Sequence, residues 1–325
     1  MIISRTPFRI SFAGGGTDLA AFYRRSAGAV LSTAIDKYMY VTVNRYFDDR
    51  IILKYSKTEL VDRVEKVRHP ILRECLKKTG LTRGIEVTSM ADVPGGTGLG
   101  SSSSFTVGVL HALYAFKGEY KTSDELAAEA CDIEIARLRE PIGKQDQYIA
   151  AYGGLKHIEF RADESVRVDP VICPDGTLEA LSARLVLMFT GVTRKAGPIL
   201  RRARARYREN HEVLEAMRGL AERTRQSLQS GRVDEVGGLL HEGWELKKRL
   251  EGGISSPDID RAYAAARKAG ALGGKILGAG GGGFLLLYCP PERQGALFKA
   301  LKGWRRIPFR LEPEGSKIIH VSHQT

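Results

Sequence analysis

The run Asp92-Val93-Pro94-Gly95-Gly96-Thr97-Gly98-Leu99-Gly100-Ser101-Ser102-Ser103-Ser104 carries the residue types of an anion site. Its glycines let backbone N–H groups come close to a ligand. Upstream, residues 85–93 alternate as a strand; downstream, residues 105–116 are apolar and helix-forming. Strand, glycine loop and helix start in that order make a phosphate cradle, because a helix N-terminus presents free N–H groups and partial positive charge. The serine hydroxyls can cap the helix, bind phosphate oxygens or ligate a divalent cation. An ordinary glycine turn with a serine cap is the competing reading, and the order of elements favours phosphate. No Gly-Lys-Ser/Thr triplet occurs, so this is not a Walker loop. Gly278, Gly280 and Gly283 have dinucleotide-fingerprint spacing, but they precede an apolar strand instead of following one into a helix.

Two more loops carry chemistry. Pro7 to Leu19 places a cation, Arg9, near a strand end, then a glycine turn (Gly14, Gly15, Gly16) and a Thr17-Asp18 pair. Gly274 to Phe284 lets backbone approach something closely through Gly278, Gly280, Gly281, Gly282 and Gly283. The plain alternatives are an Asx-capped turn and a bulged strand connection.

The elements that must position these loops read as follows. Residues 1–55 are strands and turns, and a helix covers Pro70 to Lys78. A helix from Ser123 runs to about Arg139, stopped by Pro141 and Gly143. Short strands fit 155–160 and 166–172. A strand at 184–190 follows a change near Ala183, then helices at 195–229, 232–250 and 257–269. After the third loop come a strand at 284–288, a helix at 291–302, and strands at 307–311 and 317–321. Strands and helices without strict alternation, in 325 residues, predict two α+β domains, 1–182 and 183–325, the second compatible with a ferredoxin-like sandwich.

Composition narrows the function. The chain is 43% hydrophobic and 27% charged, with no bilayer-length apolar run and no signal-peptide pattern, which predicts a cytoplasmic protein off the membrane. Its four scattered cysteines show no metal spacing and fit buried free thiols. The net charge of +12 allows nucleic acid as a partner, but the strongest basic run, Arg201 to Arg208, wraps its helix and is followed by Glu209, Glu212 and Glu215. A solvated helix surface and no nucleic-acid partner are the expectation.

Taken together and in order, the three loops resemble the signature of the kinase superfamily of galactokinase, homoserine kinase, mevalonate kinase and phosphomevalonate kinase. The resemblance implies a two-domain α+β fold with the active site between an N-terminal mixed domain, containing a left-handed crossover, and a C-terminal ferredoxin-like domain. It implies an ATP-dependent phosphotransferase using Mg²⁺. Pro94, Gly95, Gly96, Thr97, Gly98, Leu99, Gly100, Ser101, Ser102 and Ser103 look like the family's phosphate loop. By the same resemblance Ser102 and Glu134 would hold magnesium, Asp146 in Gly143-Lys144-Gln145-Asp146-Gln147-Tyr148 would be the catalytic base, and Arg9 would face it.

The acceptor would meet Gly15, Gly16, Thr17 and Asp18 in the first loop and Gly280 and Gly281 in the third. Galactokinase-type chains have Glu-His before Thr-Asp; Gly15 and Gly16 stand there here, which argues against galactose. The first loop, the 143–148 segment, Gly153-Gly154-Leu155 and Trp244 to Leu250 look most like bacterial kinases of D-glycero-D-manno-heptose 7-phosphate, which phosphorylate the anomeric hydroxyl. Kinases of L-fucose and N-acetylhexosamines resemble the chain too. A phosphorylated acceptor needs cations, and Lys144, Arg194 and Lys195 are the candidates. A non-catalytic sugar and ATP sensor is an alternative, disfavoured by the presence of Arg9, Glu134 and Asp146. A homodimer is compatible with the chain, whose oligomeric state the sequence does not set.

Overall fold

The computed structural model describes residues 1–193 and 196–322. Two sheets organise the chain. The first has eight strands: β1 (Ile2–Ala13), β2 (Gly28–Arg45), β3 (Ile51–Lys54), β4 (Thr58–Val61), β5 (Ile85–Ala91), β6 (Leu155–Phe160), β7 (Val166–Pro170) and the last, β12 (Lys317–Val321). The second has four: β8 (Leu185–Phe189), β9 (Gly273–Ile276), β10 (Phe284–Tyr288) and β11 (Arg305–Arg306).

The helices are α1 (Ala20–Tyr23), α2 (Pro70–Thr79), α3 (Ser101–Phe116), α4 (Ser123–Cys131), α5 (Gln145–Tyr152), α6 (Thr177–Arg184), α7 (Ala196–Ala205), α8 (His211–Gln229), α9 (Glu235–Leu250), α10 (Pro257–Lys268) and α11 (Pro291–Ala300).

The 18-residue β2 is the spine of the first sheet. Its first third pairs antiparallel with β6 and its last third with β5, while β1 runs along its other edge throughout. Register shifts at Pro7/Phe8 and Ser11/Ala13 bend β1 along this path. Proline has no N–H for the ladder, so a shift there is expected. Beyond the bend β1 is buried on both faces, and that half carries Arg9.

In the second sheet all pairings are antiparallel and the order is β11-β8-β10-β9, fourth-first-third-second, which is the ferredoxin-like order. The period of two along β8 and β10 splits the side chains between two cores. Leu185, Leu187, Leu286 and Tyr288 pack with the first sheet's core. Val186, Met188, Leu285 and Leu287 pack against the helical layer with Trp244 and Ile259.

Several sequence expectations shift. β9 lies inside the stretch expected to be only the third glycine loop, because Gly273 and Gly274 conceal its strand character. The helix expected over 195–229 is two, α7 and α8, separated at residues 206–210. The helix expected to reach Arg139 leaves α-geometry at Cys131 and passes through a π-helical turn over Asp132–Arg137. Strand 307–311 reduces to β11 at Arg305–Arg306 and one bridge from Leu311 to Ile35. β12 forms where expected but pairs with β1. We propose that the chain divides after Ser182 and that this last strand belongs with the first unit.

The loops that matter meet along a seam between the sheets. Phe284 N–H donates to the Thr97 carbonyl at 3.2 Å. Gly98 and Gly278 both have positive φ, and a Cβ on Gly278 would lie 2.6 Å from the Gly98 Cα. Backbone lies against backbone, so only glycine fits on either side.

Candidate active site

A cleft of about 870 Å³ opens along that seam, with walls from the first loop, the phosphate loop, the 140–146 segment and helices α7 to α9. Gly100 caps α3 in the left-handed conformation, so no side chain caps this helix. Its first-turn N–H groups are thus left for an anion. Ser104 Oγ ties α3 to the Pro7 carbonyl at 2.8 Å, and Ser101, Ser102 and Ser103 line the cleft.

Arg9 and Asp146 meet at the cleft floor. Arg9 is 3% exposed; its Nε and Nη2 donate to Asp146 Oδ1 and Oδ2 at 2.7 and 2.6 Å. Its Nη1 donates to the Gly98 carbonyl at 2.6 Å, and its backbone N–H donates to Leu99 O at 3.1 Å. One side chain thus fixes both the carboxylate and the phosphate loop. Such a two-toothed, charge-assisted grip sets the plane of the carboxylate as well as its position.

Asp18 is a second, buried carboxylate on the wall. Oδ1 accepts the Gly16 N–H at 2.9 Å and Oδ2 the Gln145 N–H at 3.2 Å, so it clamps the first loop to the start of α5, which carries Asp146. A Cβ on Gly143 would sit 1.9 Å from Asp18 Oδ2, which explains the glycine there. Burial, and then the Asp146 charge, push the Asp18 carboxyl above the usual carboxylate range.

Glu134 sits in the π-helical turn, fully buried. It accepts from Ser102 Oγ at 2.6 Å and from Gln147 Nε2 at 2.7 Å. Burial pushes its carboxyl up to about 7 against the pull of these hydrogen bonds. A buried carboxylate with hydroxyl and amide partners and, among the described residues, no cation, behind a serine on the cleft wall, fits a Mg²⁺ site. That ion binds one or two carboxylates and takes its remaining ligands from phosphates and water. Among the described residues no cluster of three or more His, Cys, Asp or Glu side chains offers a fuller cage.

The structure sorts the other residues expected in the site. Gly95, Gly96, Gly98, Gly100, Gly15 and Gly16 line the cleft. Pro94, Thr97 and Leu99 are not on the cleft wall: Pro94 is exposed, Thr97 and Leu99 are buried, and Thr97 Oγ1 donates to the Pro94 carbonyl at 3.0 Å. Thr17 is fully buried and ties Gly14 to Ala29.

Lys144 is turned away from the cleft. Its Nζ bonds Glu164 Oε2 at 2.7 Å and lies over the Tyr23 ring. Gly280 and Gly281 are not on the wall; Gly281 N–H is taken by the Ile254 carbonyl at 2.8 Å. Arg194 and Lys195 lie outside the described residues. The basic run is not wholly a solvated surface: Arg201 lines the cleft, while Arg202 is paired to Glu251 and Arg206 to Glu209.

Sequence reasoning missed two lysines and a glutamine. Lys247 and Lys275 both line the cleft and are 8% and 4% exposed. Gln145 joins Ser11, Ser32 and Asp18 to the start of α5. A signal for Lys247 was present: with Leu240, Trp244 and Leu250 it falls on the apolar stripe of α9, where a lysine is out of place.

Comparison with known proteins agrees with this geometry. Residues 41–154 match the GHMP kinases N terminal domain and 224–304 the GHMP kinases C terminal domain. The chain is 30% identical over 322 residues to a D-glycero-alpha-D-manno-heptose 7-phosphate kinase of Campylobacter jejuni, covering 93% of both chains. It is 28% identical to a mevalonate kinase of Pyrococcus horikoshii, over 85% of this chain and 81% of that one. The crystal structure of a D-glycero-D-manno-heptose 1-phosphate kinase from Bacteriodes thetaiotaomicron superposes with a TM-score of 0.83 at 25% identity, covering 99% of this chain and all of that one. Three glycine loops locked around one cleft, matched in both halves and along nearly the full length, place the chain among the GHMP kinases, a family of ATP-dependent phosphotransferases.

Proposed function

We propose that this protein is a sugar kinase that transfers the terminal phosphoryl group of ATP to the anomeric hydroxyl of D-glycero-D-manno-heptose 7-phosphate. The observation that carries the kinase chemistry is the Asp146 carboxylate, gripped by Arg9 beside the phosphate loop. The heptose assignment is supported by the similarity to the Campylobacter jejuni enzyme across 93% of each chain.

In this reading Asp146 accepts the hydrogen bond of the acceptor hydroxyl and takes its proton as the phosphoryl group arrives. Arg9 holds the carboxylate in position and in plane. Asp18 has two lone-pair sites left after its two backbone bonds, and these accept sugar hydroxyls. The phosphate loop and the start of α3 receive the nucleotide phosphates. Ser102 and Glu134 would hold Mg²⁺, which when bound neutralises charge on the β- and γ-phosphates.

Sugars and sugar phosphates assayed with ATP and Mg²⁺, followed by NMR assignment of the phosphorylated carbon, test the reading. Turnover of the heptose 7-phosphate at the anomeric carbon is expected. A clear preference for L-fucose, an N-acetylhexosamine or another unphosphorylated sugar would overturn the heptose assignment.

A further inference from the structure

Two buried ammonium groups line the cleft with no anion to meet them. Lys247, on α9, donates to the carbonyls of Ile276 at 2.8 Å and Gly278 at 2.5 Å. Lys275, on β9, donates to the Phe12 carbonyl at 3.1 Å. Among the described residues neither has a carboxylate within ion-pair distance. Their charged neighbours are cations: Lys247 feels Lys275 and Arg9, and Lys275 feels Arg9.

An ammonium has three donors. Lys247 keeps one and Lys275 two beyond the carbonyl bonds, and both residues lie on the cleft wall. Tying loops to carbonyls needs only a neutral donor. A buried charge costs free energy unless it is paired, so two of them side by side are not explained by loop-holding. Arg9 cannot supply the missing service, because its charge is taken by Asp146.

We propose that Lys247 and Lys275 form a two-ammonium cradle that receives a phosphoryl group of a bound ligand. Two cations and three spare N–H donors match a phosphate dianion, and they stand where the first and third glycine loops meet. Burial and the neighbouring cations depress both lysines, Lys275 to about 7, and a dianion between them would restore their charge. The phosphate comes from one of two sources: the terminal phosphate of the nucleotide or the acceptor's own. The second source rests on the sugar-phosphate reading above; the first does not.

Lys247→Gln and Lys275→Gln keep a donor for the carbonyls and remove the charge. Calorimetric binding to wild type and variants would use two pairs of probes with Mg²⁺. One pair is heptose 7-phosphate and the unphosphorylated heptose; the other is a non-hydrolysable ATP analogue and ADP. In one pair, each variant should weaken the member with the extra phosphoryl group at least about tenfold and its partner less than about twofold. Melting of the ligand-free variants should stay level or rise, since folding no longer has to desolvate and deprotonate a buried lysine. The pair that splits names the source.

Equal weakening within both pairs with a lowered melting temperature would overturn the cradle in favour of loop-holding, and no weakening at all would overturn it outright. Wild type that ignores heptose 7-phosphate while the nucleotide pair splits would sink the heptose reading and keep the cradle. Turnover of heptose 7-phosphate with neither pair split would do the reverse.

Discussion

Replacing Asp146 by Asn isolates the proton-accepting step, because the shape stays and the charge leaves. Asn keeps one acceptor for Arg9 but turns an amide NH₂ toward a guanidinium donor, so one of two bonds, at 2.7 and 2.6 Å, is lost. Positioned bases contribute about 10²–10⁴-fold, which corresponds to roughly 3–5 kcal/mol of barrier. Turnover should fall within that range.

Stability should fall as well, since Arg9 is left buried with an unpaired charge. Breaking a buried pair costs about 3–5 kcal/mol when both partners are enclosed. Asp146 is 23% exposed and Arg9 retains the Gly98 carbonyl, so we expect a loss of about 1–3 kcal/mol. Nucleotide binding should hold within about threefold, because a negative charge has been removed from a phosphate site. Coupled detection of ADP, a fluorescent-nucleotide titration and a melting curve give the three readings. A folded variant retaining more than about a tenth of wild-type turnover would refute the role of Asp146.

Glu134→Gln and Ser102→Ala should each raise the Mg²⁺ concentration for half-maximal activity at saturating ATP, since each removes or weakens an oxygen ligand of a hard cation; unchanged midpoints in both would put the metal elsewhere. Asp18→Ala should raise the acceptor KM about 10–150-fold, the equivalent of one charged hydrogen bond of about 1.5–3 kcal/mol, with a smaller change for ATP; a shift in the ATP KM alone refutes it. Lys144→Ala should leave the acceptor KM within about twofold, because its ammonium is spent on Glu164 outside the cleft; a large KM increase would return Lys144 to the site. Lys275 has a folded pKa of about 7 against an ordinary 10.5, so between these values the unfolded chain binds the extra proton and stability rises with pH. The ligand-free protein should gain up to about 1.4 kcal/mol per pH unit in that window relative to Lys275→Met, measured by denaturant titration. Parallel curves for the two proteins would contradict the depressed pKa.

The two-domain α+β fold and the three loops were legible because glycine spacing, strand alternation and helix caps are local signals. Other features were not local. β12 has an ordinary strand pattern, but its pairing with β1 joins opposite ends of the chain, as in Ile2 with Val321, and no window of sequence shows that. The π-helical turn around Glu134 continues α4 without a glycine or proline to mark it. Lys144 stands two residues from Asp146, but residues i and i+2 at a helix start point apart, and Glu164 takes it. Nothing local marks Lys275 as buried, since lysine is usually at the surface, and only packing reveals it; Lys247 was signalled only by its place on the apolar stripe of α9.

The seam between Gly98 and Gly278 has a genetic consequence. A clash with a side chain can be relieved by a second mutation that trims the neighbour. Here the neighbour is backbone: a Cβ on Gly98 would meet the Leu277 carbonyl oxygen at 2.6 Å, and one on Gly278 would meet the Gly98 Cα. No compensating substitution can make either partner smaller. Alanine at either position should resist rescue by suppressor mutations at the contact, and any revertants should restore glycine itself. The two halves of the kinase are therefore bound to vary together along this line, or not at all.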